Sequence, residues 1–315
     1  MNYLGIDLGG TNIEFGIVNT ENEIIYSNSF KTNTFLTAKD CSFAIFNDIK
    51  ENTKHTINGI GIGAPSVNFI TQNIENAPNL KWDEIIPLAE IFEATFNIKT
   101  TIVNDANAAA IGEWKFGGAK DLDNFALITL GTGVGIGLVL NGKLYHGSNG
   151  LGGEFGHICI DRTNGRECSC GGHGCLEAYV GKEGIIKTAK QKIEFSSGSS
   201  KLHNFIPSEI KSEDIFKFAR KEDPVAVDIV DSISRDLGYA ISILANSLDL
   251  NNIFLFGGLA KEGNFIKKKT LKAMKPFLIQ SIRENISLQI SELNDLNPAI
   301  IGAAYLAKNG VSWST

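Results

Sequence analysis

Three cysteines and a histidine lie close together in the middle of the chain, in a pattern typical of a metal site. His157 is followed by Cys168, Cys170 and Cys175, with glycines between the last two cysteines that let the backbone wrap around an ion. Three thiolates and one imidazole form the ligand set of a closed, four-coordinate structural zinc site. Incidental buried thiols would not be expected to gather in so short a segment. The sequence therefore predicts a structural zinc ion bound by these four residues.

Other cysteine and histidine residues are weaker candidates for metal binding. His173 lies inside the same loop and is the alternative nitrogen ligand. Cys159 alternates with Ile158 and Ile160, which predicts a core position on a strand. Cys41 is far from any cysteine or histidine pattern, so no metal role is predicted for it.

Two carboxylates flank the predicted zinc loop. Glu154 lies three residues before His157, and Glu177 lies two residues after Cys175. A loop stiffened by a metal could aim both carboxylates at a polyhydroxylated ligand, because carboxylates accept hydrogen bonds and a sugar offers many donors. The alternative for each is an ordinary surface salt bridge.

Glycine-rich turns follow three apolar segments and could cradle phosphate groups. Backbone amides in such turns can converge on an anionic oxygen, because glycine lets the chain approach without a Cβ clash. Asp7, at the first turn, would repel phosphate unless a cation were present, so we interpret it as a magnesium partner acting through water. Its alternative is a capping aspartate in an ordinary turn, and the third turn could equally be structural. The phosphate-binding candidates are Gly9, Gly10, Thr11, Thr132, Gly133, Gly257 and Gly258.

Asn104 and Asp105 follow a buried apolar strand and precede an alanine-rich helix. Catalytic groups in open α/β sheets often lie at the carboxyl ends of strands. An aspartate at the start of a helix is also a common N-cap. The local sequence leaves both roles open for Asp105.

The elements that would position these residues alternate between strands and helices, which predicts an α/β fold. Two strand–turn–strand units, at the N-terminus and around Gly131–Gly135, suggest an internal duplication. A Gly-Gly pair and polar residues between Gly117 and Asp123 indicate the boundary between two halves. We expect an N-terminal α/β domain over residues 1–118, completed by the C-terminal helix of residues 299–315, and a second α/β domain over residues 119–298 that carries the zinc loop.

Composition narrows the class of protein. The chain has 315 residues, of which 43% are hydrophobic and 20% charged, as in a globular protein of two domains. A formal net charge of −6 argues against a nucleic-acid surface. No apolar stretch is long enough to cross a bilayer, and no signal peptide is evident. Five cysteines, an odd number, favour the reducing cytoplasm.

Taken together, the motifs resemble those of the ROK family of sugar kinases and repressors. The resemblance covers nearly the whole chain, and the zinc segment with its preceding Glu-x-x-His is its most specific part. The matching segments are Gly5–Thr11, Asn104–Ala109, Leu130–Gly135, Gly152–His157, Cys168–Glu177, Gly257-Gly258 and Gly302–Ala304.

The resemblance implies an actin-like, hexokinase-like (ribonuclease H-like) fold, with two α/β domains around a cleft. It implies an ATP-dependent hexose kinase in which Asp105 is the general base that deprotonates the sugar hydroxyl. ATP, with magnesium, would be held by the glycine turns. The sugar would be bound by Asn79, Asn104, Asp105, Glu154, His157 and Glu177, so that His157 serves both metal and sugar.

The zinc segments resemble those of the family's glucokinases, which favours glucose 6-phosphate as the product. Kinases of N-acetylmannosamine, N-acetylglucosamine or fructose are the alternatives, and a sugar-sensing regulator is the non-enzyme alternative. The family's repressors carry a DNA-binding domain before the first glycine turn, whereas here that turn begins within ten residues of Met1. The family's habit also suggests a homodimer. Asn12 and Ile136 depart from the family's usual lysine and glycine, which puts nucleotide affinity in doubt.

Overall fold

A computed structural model describes residues 1–77, 80–196, 199–206, 209–293 and 296–310 of the chain. These residues form two compact units. The first unit contains Met1–Leu127, Ile136–Gly153 and the described residues from Ser291 onward. The second contains Ile128–Gly135 and the described residues of Glu154–Ile290. The domain boundary near residue 118 that the sequence indicates stays a prediction.

Strands and helices alternate along the described part of the chain, which confirms the predicted α/β class. The strands are β1 (Asn2–Leu8), β2 (Asn12–Val18), β3 (Ile24–Lys31), β4 (Ile57–Ala64), β5 (Val67–Asn68), β6 (Asn73–Glu75), β7 (Ile85–Ile86), β8 (Thr100–Asn104), β9 (Phe125–Leu130), β10 (Val134–Leu140), β11 (Lys143–Leu144), β12 (Asn252–Phe256) and β13 (Ser287–Ile290). The helices are α1 (Ala38–Asn52), α2 (Leu88–Phe96), α3 (Asp105–Phe116), α4 (Glu177–Val180), α5 (Lys182–Phe195), α6 (Ser212–Ala219), α7 (Pro224–Leu248), α8 (Asn264–Met274), α9 (Gln280–Asn285) and α10 (Pro298–Asn309).

Two five-stranded sheets carry the architecture within the described residues. Their strand orders are β3-β2-β1-β4-β8 and β11-β10-β9-β12-β13. In the first sheet β1 pairs antiparallel with β2 and parallel with β4, and β4 pairs parallel with β8. The first two strands of each sheet along the chain, β1–β2 and β9–β10, are neighbours joined by a short turn, as the repeated strand–turn–strand pattern predicts. A small three-stranded sheet of β5, β6 and β7 extends the first unit.

Helix α10 belongs to the first unit, where small residues let it lie directly on the sheet and on α3. A Cβ at Gly5 of β1 would collide with the carbonyl of Ile300, and one at Gly61 of β4 with the carbonyl of Ala303. Contact this close, backbone against backbone, is possible only with glycine. The close approach fixes the beginning of α10 over the carboxyl ends of β1 and β4, where candidate site residues lie.

Strand β3 and helix α1 were not expected from the sequence. The outer strand β3 is largely exposed, and only Ile24, Tyr26 and Phe30 are partly buried, so its apolar pattern is weak. Helix α1 begins at a capping box between Thr37 and Asp40, a short-range signal that was available in the sequence. The predicted core position of Cys159 is wrong, since this residue is exposed and forms an isolated bridge with Cys175.

Among the described residues, no helix combines the length and the apolar character needed to span a membrane.

Candidate functional site

Two acidic side chains of the first unit, Asp7 and Glu14, lie where β1 and β2 meet the start of α10. Asp7 and Glu14 face each other across the β1–β2 pair. The side-chain amide of Asn297 donates to Oδ2 of Asp7 at 2.9 Å and to Oε2 of Glu14 at 2.8 Å. Asn297 is also the N-cap of α10, because its Oδ1 accepts from the backbone N–H of Ala299. One residue therefore ties the end of β1 to the beginning of the closing helix.

Asp7 has the most perturbed carboxyl of this cluster. Burial raises the pKa of Asp7 to about 7; the hydrogen bond from Asn297 lowers it, and the charges of Asp105 and Glu14 raise it. A buried carboxylate beside other carboxylates is stabilised by a bound cation. The donor set is therefore suited to magnesium, a hard cation that prefers oxygen ligands.

Asn104 and Asp105 lie at the carboxyl end of β8, and one strand, β4, separates β8 from the strand of Asp7. Asn104 ends β8, and its Oδ1 accepts from the backbone N–H groups of Ala106 and Asn107, so it is the N-cap of α3. Asp105 is the first residue of that helix, and its Oδ1 accepts from the N–H of Ala106 at 2.8 Å. The capping role that the sequence left open for Asp105 therefore belongs to Asn104.

The Asp7 and Asp105 backbones meet at the same strand of the sheet. Gly63 of β4 pairs with Asp7, and a Cβ at position 63 would lie 3.3 Å from the Cα of Asp105. Because β1, β4 and β8 are parallel, their carboxyl ends share one edge of the sheet. The structure thus brings together Asp7, Asn104 and Asp105 within the first unit.

The first glycine turn, Gly9–Asn12, is a tight turn between β1 and β2. The N–H of Gly9 donates to the carbonyl of Asn12 at 2.9 Å, while Gly10 and Thr11 are exposed at its tip. The buried Thr32 supports the turn, because its hydroxyl donates to the carbonyl of Gly9 at 2.7 Å.

Asn12, which departs from the family's usual lysine, is paired with a lysine in space. Lys31 is opposite Asn12 in the β2–β3 pair, and its Nζ donates to Oδ1 of Asn12 at 2.7 Å. A positive charge therefore stands beside the first glycine turn despite the substitution. This compensation comes from strand pairing, which local sequence does not reveal.

The second glycine turn, Gly131–Val134, belongs to the second unit. The N–H of Gly131 donates to the carbonyl of Gly133 at 3.0 Å, and Gly131 and Thr132 are exposed. Gly257 follows β12 and lies beside this turn. Its φ is +101°, and a Cβ at this position would collide with the carbonyl of Leu130. The adjacent Gly258 precedes a short 3₁₀ helix. The second unit therefore brings its two glycine turns together.

The four predicted zinc ligands meet in the second unit. Their ligand atoms all lie within 4.8 Å of one another, in the group His157, Cys168, Cys170 and Cys175. The Sγ of Cys168 is 3.6 Å from Nδ1 of His157, and the Sγ atoms of Cys170 and Cys175 are 3.7 Å apart. Tetrahedral zinc with bonds of about 2.3 Å to sulfur separates two thiolates by about 3.8 Å. The donor set and its spacing fit zinc, and His173 is not a member of the group.

The thiol chemistry of this cluster points the same way. Burial, and then hydrogen bonding with the thiols of Cys170 and Cys168, raises the pKa of Cys175 to about 12. The N–H of Gly172 lowers the pKa of Cys170. The buried Cys175 would keep its proton in the absence of a bound cation, whereas a metal ion deprotonates a coordinating thiol.

His157 presents its two ring nitrogens to different partners. Nδ1 faces the thiol cluster, whereas Nε2 is 3.8 Å from Oε2 of Glu154. Glu154 immediately precedes the 3₁₀ helix Phe155–His157, and its side chain is 56% exposed. The geometry allows one imidazole to bind a metal through Nδ1 and to turn its other nitrogen, beside Glu154, toward a ligand.

Glu177 contacts both the second glycine turn and the loop of residues 157–175 that carries the candidate zinc ligands, hereafter the zinc-binding loop. Its Oε1 accepts from the hydroxyl of Ser169, and its Oε2 accepts from the N–H of Val134 at 2.9 Å. The surface salt bridge considered for Glu177 is therefore not its role in this structure.

Sequence reasoning missed Asn297 and Ser169, which contact the predicted site residues Asp7 and Glu177, and it missed Lys31, which contacts Asn12. Pro298 follows Asn297, a signal for a helix start that could have been recognised; the contact to Asp7, far away in sequence, could not. Asn79, a predicted sugar ligand, lies outside the described residues.

Comparison with known proteins places the whole chain in one group. It matches the ROK family over residues 3–310. It is 32% identical to a glucokinase of Halalkalibacterium halodurans, over 97% of this chain and 94% of that protein. It is 34% identical to a glucokinase of Streptomyces coelicolor, over 97% of each chain.

A solved structure extends the likeness to the fold. The crystal structure of a ROK family glucokinase from Streptomyces griseus, in complex with glucose and AMPPNP, superposes with a TM-score of 0.86 at 31% identity. The match covers 98% of this chain and 100% of that one.

Proposed function

Because the chain belongs to the ROK family, we propose that it is an ATP-dependent glucokinase, which transfers the terminal phosphoryl group of ATP to glucose and forms glucose 6-phosphate. The observation that carries the proposal is the shared sheet edge of Asp7, Asn104 and Asp105, in a chain similar to a glucokinase structure that contains glucose and a nucleotide. The α/β architecture is the actin-like, hexokinase-like fold expected from the sequence, with two domains.

Asp105 is assigned as the general base. Phosphoryl transfer from ATP depends mainly on positioning and charge neutralisation, so one carboxylate near the accepting hydroxyl is sufficient for the proton. Oδ1 of Asp105 is held by the N–H of Ala106, which fixes the direction of the carboxylate. Asp105 would accept the proton of the sugar hydroxyl as the new phosphate ester bond forms and the bond to the leaving ADP breaks.

The glycine turns are assigned to the phosphates of ATP. Gly9, Gly10 and Thr11 of the first turn and Thr132 and Gly133 of the second turn would supply backbone and hydroxyl donors. Lys31 would add positive charge beside the first turn. Gly257 and Gly258 are assigned to the nucleotide as well, since they lie beside the second turn. Magnesium, when bound with ATP, neutralises phosphate charge, and Asp7 would hold it through water.

The sugar is assigned to the polar side chains that the family resemblance implies. Asn104 and Asp105 would contact the hydroxyl that reacts. Glu154, Nε2 of His157 and Glu177 would bind other hydroxyls of the ring, and Asn79 stays a predicted contact. Carboxylates and a ring nitrogen supply the acceptors that sugar hydroxyl donors require.

A structural zinc ion is assigned to His157, Cys168, Cys170 and Cys175. Four protein ligands leave no open coordination position, so the ion would order the loop instead of taking part in the reaction. Ordering the loop fixes Glu154 and Glu177 at its two ends. A reduced cysteine cluster also supports a cytoplasmic location, and a homodimer is proposed from the family's habit.

The direct test is a coupled assay of the purified protein with ATP and a panel of hexoses. We expect the highest kcat/KM for glucose. A clear preference for N-acetylmannosamine, N-acetylglucosamine or fructose would show that this sugar, and not glucose, is the substrate. Sugar binding without turnover of any hexose would favour the regulator.

The role of Asp105 is tested by Asp105→Asn. An amide keeps the shape of the side chain but cannot accept the proton, so kcat should fall about a hundredfold or more while glucose binding persists. Asp121→Asn changes a carboxylate after α3 that has no assigned role, and it should leave kcat unchanged. Near-normal turnover by Asp105→Asn would refute the assignment.

A further inference from the structure

The second glycine turn is held in place by the segment that follows the zinc-binding loop. Its Val134 N–H donates to Oε2 of Glu177 at 2.9 Å, and the N–H of Lys182 donates to the carbonyl of Gly131 at 3.1 Å. The turn is thus bound at both ends, by the first residue of α4 (Glu177) and by the first residue of α5 (Lys182). Neither contact involves a metal ligand.

Glycine at position 133 leaves room for the carboxylate of Glu177 in its present position. A Cβ there would collide with Oε2 of Glu177, because the carboxylate lies directly against the turn. The side chain of Glu177 and the backbone of the turn are therefore packed without space between them. A shift of one would be transmitted to the other.

The other oxygen of Glu177 reaches into the zinc-binding loop. Oε1 accepts from the hydroxyl of Ser169 at 3.1 Å, and Ser169 lies between two of the metal-binding cysteines, Cys168 and Cys170. A single carboxylate therefore bridges a residue of the zinc-binding loop and a backbone N–H of the second glycine turn.

Arg166 anchors the backbone of α4 and of the first turn of α5. Its guanidinium donates to the carbonyls of Ala178 and Gly184, both at 3.1 Å, and lies over the ring of Tyr179. Its own backbone N–H donates to the hydroxyl of Tyr179 at 3.1 Å. With α4 anchored in this way, motion of the Glu177 carboxylate is limited to its side-chain torsions, which Ser169 restrains.

We propose that Glu177 is a positioning residue for the second glycine turn, and that its bond to Ser169 makes nucleotide affinity depend on the order of the zinc-binding loop. The inference rests on the assignment of this turn to ATP phosphates in the proposed function. It gives Glu177 a second role beside the sugar contact. It also predicts that disturbing the loop weakens ATP binding in the absence of sugar.

The test measures AMPPNP affinity by calorimetry without sugar, in variants that keep all four metal ligands. Ser169→Ala should raise the Kd about three- to tenfold, the effect of losing one hydrogen bond of ordinary strength. Glu177→Ala should raise it further. Glu177→Gln should restore affinity to within about twofold of the original protein, because its carbonyl oxygen can still accept from the N–H of Val134.

Hydrogen exchange of the ligand-free protein gives a second readout that does not depend on activity. The amide of Val134 should exchange faster in Ser169→Ala and in Glu177→Ala than in the unchanged chain. Thr163→Val is the matched control, because the Thr163 hydroxyl also lies in the zinc-binding loop but donates to Asp161. It should alter neither affinity nor exchange, and elemental analysis should find the same zinc content in every variant.

Unchanged AMPPNP affinity and unchanged Val134 exchange in both Ser169→Ala and Glu177→Ala would overturn the proposal and leave Glu177 a sugar contact alone. If instead the unchanged chain fails to phosphorylate glucose, the proposed function fails. The nucleotide affinities and exchange rates would still report on the Glu177 contact, so the two failures are distinguishable.

Discussion

The side-chain amide of Asn297 donates a hydrogen bond of 2.9 Å to Oδ2 of Asp7, although 290 positions separate the two residues. The same amide also donates to Glu14. Because Asn297 caps α10 through its other side-chain atom, the orientation of Asp7 depends on how the closing helix begins.

Replacing Asn297 by alanine should impair catalysis through Asp7. The variant leaves a buried carboxylate without its donor, which costs about 1–3 kcal/mol. We expect kcat/KM for Mg·ATP to fall about tenfold or more, with a higher requirement for free magnesium, in steady-state kinetics with magnesium varied. Asn309→Ala removes another asparagine of α10, one that bonds a helix carbonyl, and should have normal kinetics. Equal kinetics of the two variants would show that Asp7 does not need Asn297.

Replacing Glu154 by glutamine should weaken glucose binding selectively. Glu154 lies beside Nε2 of His157 and is half exposed, so the change removes an anionic acceptor without disturbing the core. We expect the glucose Kd to rise about tenfold while the AMPPNP Kd stays within twofold, in calorimetric titrations of each ligand. Glu167→Gln, an exposed carboxylate of the zinc-binding loop, is the matched control. A selective loss of nucleotide affinity would contradict the sugar assignment.

Elemental analysis should find one tightly held zinc ion per chain. Cys170→Ser should lower the zinc content, raise the glucose KM and lower the Tm by several degrees together, because the ion orders the loop that carries the sugar contacts. Cys159→Ser is the control, since Cys159 is exposed and outside the ligand group. Full activity and an unchanged Tm in a metal-free preparation would assign the cysteine cluster another role.

Burial of Asp236, a residue of the second unit, should make the stability of the protein depend on pH. Burial raises the pKa of Asp236 to about 6, while the charges of Arg235 and Arg166 lower it. Since the native pKa lies above the unfolded value near 3.8, ionisation of Asp236 opposes folding, and its cost grows as the pH rises from 4 through 6. Asp236→Asn should therefore increase the free energy of unfolding over that of the unchanged chain, and this increase should be larger at pH 7 than at pH 4 by roughly 1–2 kcal/mol.

Denaturant unfolding at both pH values measures this difference. Asp228→Asn, on the same helix, is the control and should give a smaller change because its side chain is 55% exposed. A variant whose advantage over the unchanged chain is the same at pH 4 and pH 7 would show that Asp236 is not destabilised by burial.

Much of the fold and of the site could be predicted because the signals are local in sequence. The residues His157, Cys168, Cys170 and Cys175, which the structure brings together, lie in one short segment, and their ligand chemistry predicts zinc. The alternation of apolar strands and helices indicated the α/β class. The outer strand β3 escaped prediction because only three of its side chains are partly buried, which leaves a weak sequence pattern.

What the sequence alone determined is the chemistry available: carboxylates at strand ends, glycine turns and a cysteine cluster, each defined by residue type and spacing. Only the tertiary structure decided which groups contact one another. Asn297 meets Asp7, Lys31 meets Asn12, and Glu177 turns one oxygen to Val134. These pairs depend on strand register and on glycine contacts that set α10 against the sheet, and such contacts between distant segments leave no periodic trace in the sequence.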